Sequence, residues 1–229
     1  MAKRALAVTA VLLLSALSVS AGDVASFVNL GFSEDSRVFM FAQYGIERDT
    51  SRPFAEIYTV DVPENVFVSS GVRRRTFDID LTPGQNGSGA LYTLLGDSQD
   101  LVNEYEINHL HKGRLVYLLV NGEEPKSDIQ FRDFNTGNRY EISLRQSAEG
   151  EGEEARASFH IQLTVVRGDG DIQAFTIGRP GYFREGVSRY RISQVLLSPE
   201  ESSLVFVVQK EYMGEDGQTI RYMVETVAF

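Results

Sequence analysis

The sequence has no cysteine, no tryptophan, three histidines and six prolines in 229 residues. Without cysteine there can be no disulfide framework, no thiolate-ligated zinc or iron–sulfur centre and no thiol nucleophile. Lipid attachment at a cysteine after an export signal is excluded as well. Positive charge is scarce: 22 Lys plus Arg stand against 32 Asp plus Glu, a net charge of −10. A chain this acidic repels nucleic acid and anionic lipid surfaces, where Lys and Arg supply most of the affinity, so a nucleic-acid partner is not expected. No apolar run beyond residue 21 reaches the ~18 residues that read as a membrane span. What is present, 42% hydrophobic and 24% charged residues, is the composition of a folded domain, not of a disordered chain.

The first residues carry an export pattern. Lys3 and Arg4 open it, Ala5 to Val19 is an uncharged apolar run, and Val19-Ser-Ala21 offers the small residues of a cleavage site. A signal peptide over 1–21 is expected, leaving 22–229 as a single all-β domain. Its removal takes away two cations and no acid, so the mature net charge becomes −12. Export without cysteine suits a periplasm or bacterial exterior, where the fold does not rely on oxidation.

The mature chain reads mostly with the period of two that places alternate side chains on opposite sheet faces. Strands are expected over 24–30, 37–44, 55–61, 66–68 with a continuation at 72–77, 114–120, 128–134, 139–144, 158–166, 172–177, 190–197, 203–210 and 219–227. Asn135-Thr-Gly-Asn138, Gly168-Asp-Gly-Asp171 and Gly214-Glu-Asp-Gly217 are turn chemistry between them. The middle departs from this rhythm. After the loop Thr82 to Gly89, Leu91, Leu94, Leu95, Leu101, Val102 and Tyr105 recur at helical spacing. They predict one helix near 88–107, N-capped by Ser88 and weakened near Gly96. The fold class is therefore mainly β, with antiparallel meanders and one inserted helix.

A weak internal repeat sharpens this. Phe32-Ser-Glu-Asp-Ser-Arg-Val-Phe-Met-Phe41 aligns with Leu197-Ser-Pro-Glu-Glu-Ser-Ser-Leu-Val-Phe206. Both are a strand, a Ser-acidic turn and an apolar strand, and both resemble the inner hairpin of bacterial propeller blades. The chain is short for many blades of ~40 residues. A sandwich and a minimal propeller-like arrangement explain the pattern equally. The two units are expected to pack into one core, with Phe39 and Phe41 on one face of the first, and Leu204 and Phe206 on one face of the second.

A wider resemblance rests on Gly31-Phe-Ser-Glu-Asp-Ser-Arg37, Phe39 to Gly45, Phe54-Ala-Glu-Ile-Tyr-Thr-Val-Asp61, Tyr190 to Pro199, Leu204-Val-Phe-Val-Val208 and Arg221-Tyr-Met-Val224. These segments resemble an uncharacterised family of predicted secreted bacterial proteins, a domain of unknown function. The acidic stretch 146–156 lies outside the resemblance. It implies secretion and carries over no activity, cofactor or catalytic residue.

Candidate chemistry is sparse. His109 and His111 would share a face of an extended segment and could form a metal pair, with Glu104, Glu106 or His160 completing it. No HExxH accompanies them, so a polar helix end entering a loop is the expected role. No Gly-x-Ser-x-Gly elbow exists, and Gly87-Ser-Gly89 lacks the preceding strand. Gly84 to Gly89 lacks the lysine of a phosphate-binding loop. Arg73-Arg-Arg75 reads either as edge-strand charge that discourages sheet pairing or as a site for an anionic polymer. Arg167-Gly-Asp169 is an adhesion-type tripeptide, but it coincides with hairpin chemistry. Asp169 and Asp171 are too few oxygens for calcium.

No catalytic, cofactor or metal residue is therefore assigned. The expected function is a non-enzymatic envelope binding module with an envelope protein or glycan as partner. The alternative is a hydrolase using acidic residues or a His109/His111 metal site.

Overall fold

A computed structural model describes residues 23–82, 84–214 and 217–229. The expected signal segment 1–21 and the centre of the 214–217 turn lie outside the described residues. The described residues form three five-stranded sheets and two α-helices.

The N-terminal sheet is built from β2 (Ser26–Ser33), β3 (Val38–Ile46), β4 (Pro53–Asp61), β5 (Val66–Thr76) and the two-residue β6 (Ile107–Asn108), in the order β5-β4-β3-β2-β6. The central sheet runs β1-β15-β14-β13-β7, from β1 (Asp23–Val24), β7 (Arg114–Leu118), β13 (Val187–Leu197), β14 (Ser203–Gly214) and β15 (Gly217–Ala228). The third sheet runs β11-β10-β9-β8, from β8 (Asp128–Arg132), β9 (Arg139–Glu149), β10 (Arg156–Val166) and β11 (Ile172–Gly178), with the short β12 (Arg184–Glu185) also paired to β10. All pairings are antiparallel except β1 with β15, which are parallel.

The central sheet is covered on both faces, which explains the unbroken apolar run Leu204 to Val208, every member of which is fully buried. Leu204, Phe206 and Val208 face the third sheet and pack with Phe159, Ile161 and Leu163. Val205 and Val207 face the N-terminal sheet and pack with Phe32, Phe39, Phe41 and Tyr58. The N-terminal sheet is also covered twice: its other face, with Met40, Ala42, Ala55 and Ile57, carries the helices.

The predicted helix occupies its interval as two pieces, α1 (Ser88–Gly96) and α2 (Gln99–Glu104), broken just after Gly96. Ser98 is buried in the break, and its hydroxyl donates to the Leu94 carbonyl at 2.7 Å. The N-cap is Gly87, not Ser88: the Ser88 hydroxyl bonds the Asn86 side chain instead.

The two Ser-acidic hairpins are equivalent in detail. In each, a backbone N–H closes on the carbonyl three residues back, Ser36 on Ser33 at 3.0 Å and Glu201 on Ser198 at 2.9 Å. In each, the first serine's hydroxyl accepts the N–H five residues on, Val38 at 2.9 Å and Ser203 at 3.2 Å. Ser36 and Glu201 both take left-handed φ, 59° and 54°. The turns touch, the Glu200 N–H lying 3.4 Å from the Ser36 hydroxyl. Phe39 and Phe41 share a face, as expected, and so do Leu204 and Phe206, but the two pairs do not meet in one core: Leu204 and Phe206 serve the opposite face of their sheet, and Val205 and Val207 meet Phe39 and Phe41.

Candidate functional site

The three sheets converge along the outer edge of β15. β1 pairs only with Thr219 and Ile220, so the rest of that edge is held by side chains from the N-terminal sheet. Gln43 Oε1 accepts the Tyr222 N–H at 2.7 Å, and Asn65 Oδ1 accepts the Thr226 N–H at 2.8 Å. Asn65 sits in the β4–β5 turn at φ 54°, a left-handed conformation that asparagine tolerates better than most residues. There it reaches across the edge to β15.

The second amide group of Asn65 gives this junction its chemical interest. Asn65 Nδ2 donates to Glu225 Oε2 at 2.6 Å. Glu225 is only 6% exposed, and burial pushes its carboxyl above the usual glutamate range, against the pull of the Asn65 hydrogen bond and of the Arg184 and Arg179 charges. The second oxygen, Oε1, has no hydrogen-bond partner among the described residues. Gly178, at φ 85°, passes so close that a Cβ there would stand 3.4 Å from the carboxyl group.

These residues line a cleft of about 480 Å³. Glu64, Asn65, Val66 and Phe67 come from the N-terminal sheet, Met223, Val224 and Glu225 from the central sheet, and Gly178, Arg179 and Arg184 from the third. Arg179 and Arg184 flank a turn closed by the Tyr182 N–H on the Arg179 carbonyl at 3.2 Å. Their guanidinium groups lie 5.9 and 5.1 Å from the Tyr182 ring centre, and Arg184 also packs on Phe159 and Tyr190. Neither arginine has a carboxylate within ion-pair distance among the described residues. Most other arginines do, as Arg114 shows with Asp133 and Glu201.

A larger depression of about 620 Å³ lies between the 47–50 loop and the adjoining ends of β14 and β15. Its chief charged pair, Arg221 with Asp23 at 2.6 Å, is satisfied internally.

The sequence candidates fall elsewhere. His109 and His111 follow β6. His109 Nδ1 lies 2.6 Å from the Leu30 carbonyl, and His111 Nδ1 is buried without a partner among the described residues. Among the described residues no group of three His, Asp or Glu is placed to hold a metal. Arg73, Arg74 and Arg75 lie on β5, an edge strand, and each meets an acid: Asp100 at 3.0 Å, Glu56 at 3.5 Å and Asp97 at 2.9 Å. The cluster thus also ties the helices to the sheet. Arg167-Gly-Asp169 forms the β10–β11 turn, with Arg167 folded back over the Phe229 ring. Asp169 spends one carboxylate oxygen on the Asp171 N–H.

Sequence reasoning passed over Glu225, Asn65, Arg179 and Arg184. One signal was available. In Met223-Val-Glu-Thr-Val227, period two puts Glu225 on the same face as Met223 and Val227, both packed in the core between the central and third sheets. An acid at a core position needs a reason.

The fold and the cleft define an all-β protein of stacked antiparallel sheets. Its family is the one described as "Predicted secreted protein (DUF2259)", whose pattern matches residues 40–228, and the chain belongs to it. This agrees with the resemblance drawn from the hairpin motifs and with secretion. No curated protein matches the sequence. No helix among the described residues is long and apolar enough to cross a membrane.

Proposed function

We propose that the protein is exported by cleavage of residues 1–21 and acts as a non-enzymatic binding module of the cell envelope or exterior, engaging its partner at the three-sheet cleft. One observation carries this reading. The cleft combines a buried carboxyl with a spare oxygen and two arginines that form no ion pair among the described residues. Groups left unsatisfied at a concave site are what a ligand completes.

A hydrolase is the second reading. It is favoured by Glu225, an acid that burial biases toward its protonated form, with a second acid, Glu64, lining the same cleft. The two nearby arginine charges favour the ionised form and weaken that role.

Affinity capture from the envelope fraction, with the mature protein as bait, tests the proposal. A partner retained by the wild type and lost on Arg179→Gln supports it. Shortening of an envelope glycan or peptide by the wild type, but not by Glu225→Gln, would replace it with the hydrolase. One zinc per chain, lost on His109→Ala or His111→Ala, would instead move the site to β6.

A further inference from the structure

The cleft also constrains what it binds. Resting on the binding reading above, we propose that its ligand carries both a carboxylate and a hydrogen-bond donor close to it, the carboxylate held by Arg179 and Arg184 and the donor accepted by Glu225 Oε1. Hydroxy acids, amino acids and the C-terminus of a peptide share this chemistry.

The argument starts from the shape of the two ends. At one end stand two guanidinium groups, planar forks whose geometry matches a carboxylate. They share the Tyr182 ring, and Arg184 is further fixed by Phe159 and Tyr190, so at least one fork is pre-organised. At the other end stands one carboxyl group, nine-tenths buried and oriented by Asn65, with Oε2 occupied and Oε1 open. Asn65 is in turn fixed by Thr226, whose N–H and hydroxyl both donate to its Oδ1, at 2.8 and 3.2 Å.

A ligand that were only an anion would leave Oε1 unmatched and would face the Glu225 charge. A ligand that were only a donor would leave both arginines unmatched. A small group bearing both completes the set.

The charge count selects against a phosphate. Within the cleft two cations face Glu225, while Glu64 is exposed on the rim and screened by water. A dianion would bring a second negative charge beside a buried carboxyl, whereas a carboxylate brings one. The apolar part of the lining, Val60, Val66, Phe67, Met223 and Val224, suits a small aliphatic substituent.

The test uses the mature full-length protein, with the Asn65 side-chain amide and the Gly178 and Glu225 backbone N–H groups followed by NMR. Four probes are titrated: glycolate, N-acetyl-alanyl-alanine, its C-terminal amide and inorganic phosphate. Saturable shifts at these positions with glycolate or the dipeptide acid, absent with the dipeptide amide, support the proposal. Glycolate alone would identify free small acids as the source, and the dipeptide alone a chain terminus. Arg179→Gln, an exposed position, should weaken the binding at least about tenfold, the worth of one charge-assisted hydrogen bond. Its unchanged thermal midpoint would show that the fold is intact.

Equal binding of acid and amide, binding of phosphate alone, or no shift with any probe would overturn the proposal. If the probes fail while envelope capture still depends on Arg179, the binding reading stands and only the ligand class is wrong. If capture is also insensitive, both fall.

Discussion

Truncating Phe41 should destabilise the whole protein in one step. Phe41 is fully buried at the interface between the N-terminal and central sheets. Its ring stacks on Tyr58 at 4.9 Å, on Phe27 at 5.6 Å and on Phe39 at 6.1 Å. Phe41→Ala removes that ring from between two sheets, neither of which can close the gap alone. The expected cost is about 3–5 kcal/mol, from lost transfer energy and the residual cavity. For a domain of roughly 200 residues, each kcal/mol moves the midpoint by about 2–4 °C, so a drop on the order of 6–20 °C follows. Differential scanning calorimetry or circular dichroism on the mature protein reads this directly. The central sheet shares one face with Phe41 and the other with the third sheet, so unfolding one interface exposes the next. The loss should therefore appear as a single shifted transition. Phe134→Ala, at a side chain 89% exposed, should leave the midpoint in place. Two separated transitions in Phe41→Ala, with only the earlier one moved, would refute the reasoning and replace one domain with two. So would an N-terminal half that stays folded with an unchanged midpoint after deletion of residues 190–229.

Three further outcomes are expected. Hydrogen bonds from Arg114 hold the Asp133 carboxyl well below the usual carboxylate range, so its contribution to stability is present above the unfolded pKa of ~3.9 and lost as pH falls through the folded value. Asp133→Asn should therefore cost about 1–2 kcal/mol near neutral pH, after discounting for the solvent reaching Arg114, and the gap should close on acidification below about pH 4 in pH-dependent urea melts. Burial raises the Glu225 carboxyl, so that group lowers stability as pH rises above the unfolded glutamate range; Glu225→Gln keeps the acceptor for Asn65 and should raise the midpoint at pH ~7 but not at pH ~4. Protein recovered from the envelope or medium should begin at Gly22 or within two residues of it by N-terminal sequencing, and a full-length chain retained in the membrane would contradict this.

Much of the fold was written in local periodicity. The strands from Val38–Ile46 to Gly217–Ala228 follow alternating or doubly apolar runs, and their turns follow Gly, Asn, Asp and Ser at the expected places. What local pattern could not supply is which face meets which sheet. Phe206 and Val207 are both apolar, and only the three-layer stacking sends the first toward Phe159 and the second toward Phe41. The shortest strands were also hidden. β1, β6 and β12 have two residues each, too few for any period, and they are strands only because a neighbour offers backbone partners. The break between α1 and α2 was legible at Gly96. The cap was not, because Asn86 competes for the Ser88 hydroxyl.

The cleft was nearly invisible for a related reason: its members act on one another across the whole chain. Asn65 and Glu225 are 160 residues apart, and Arg179 and Arg184 belong to a third sheet. No spacing rule links them, and none belongs to a familiar catalytic signature. The motifs that did stand out turned out to have local work. Arg73 to Arg75 pair with Asp100, Glu56 and Asp97, and Arg167-Gly-Asp169 turns a hairpin. Such runs attract notice because they are contiguous, and contiguous charge is what edges and turns need. A site assembled from three sheets shows itself in single residues whose character disagrees with their strand position. Glu225, flanked by Met223 and Val227 on the core face, is that disagreement here. Its carboxyl is buried against the cost of desolvation and is oriented by Asn65 from a different sheet, a relation that no stretch of sequence spells out.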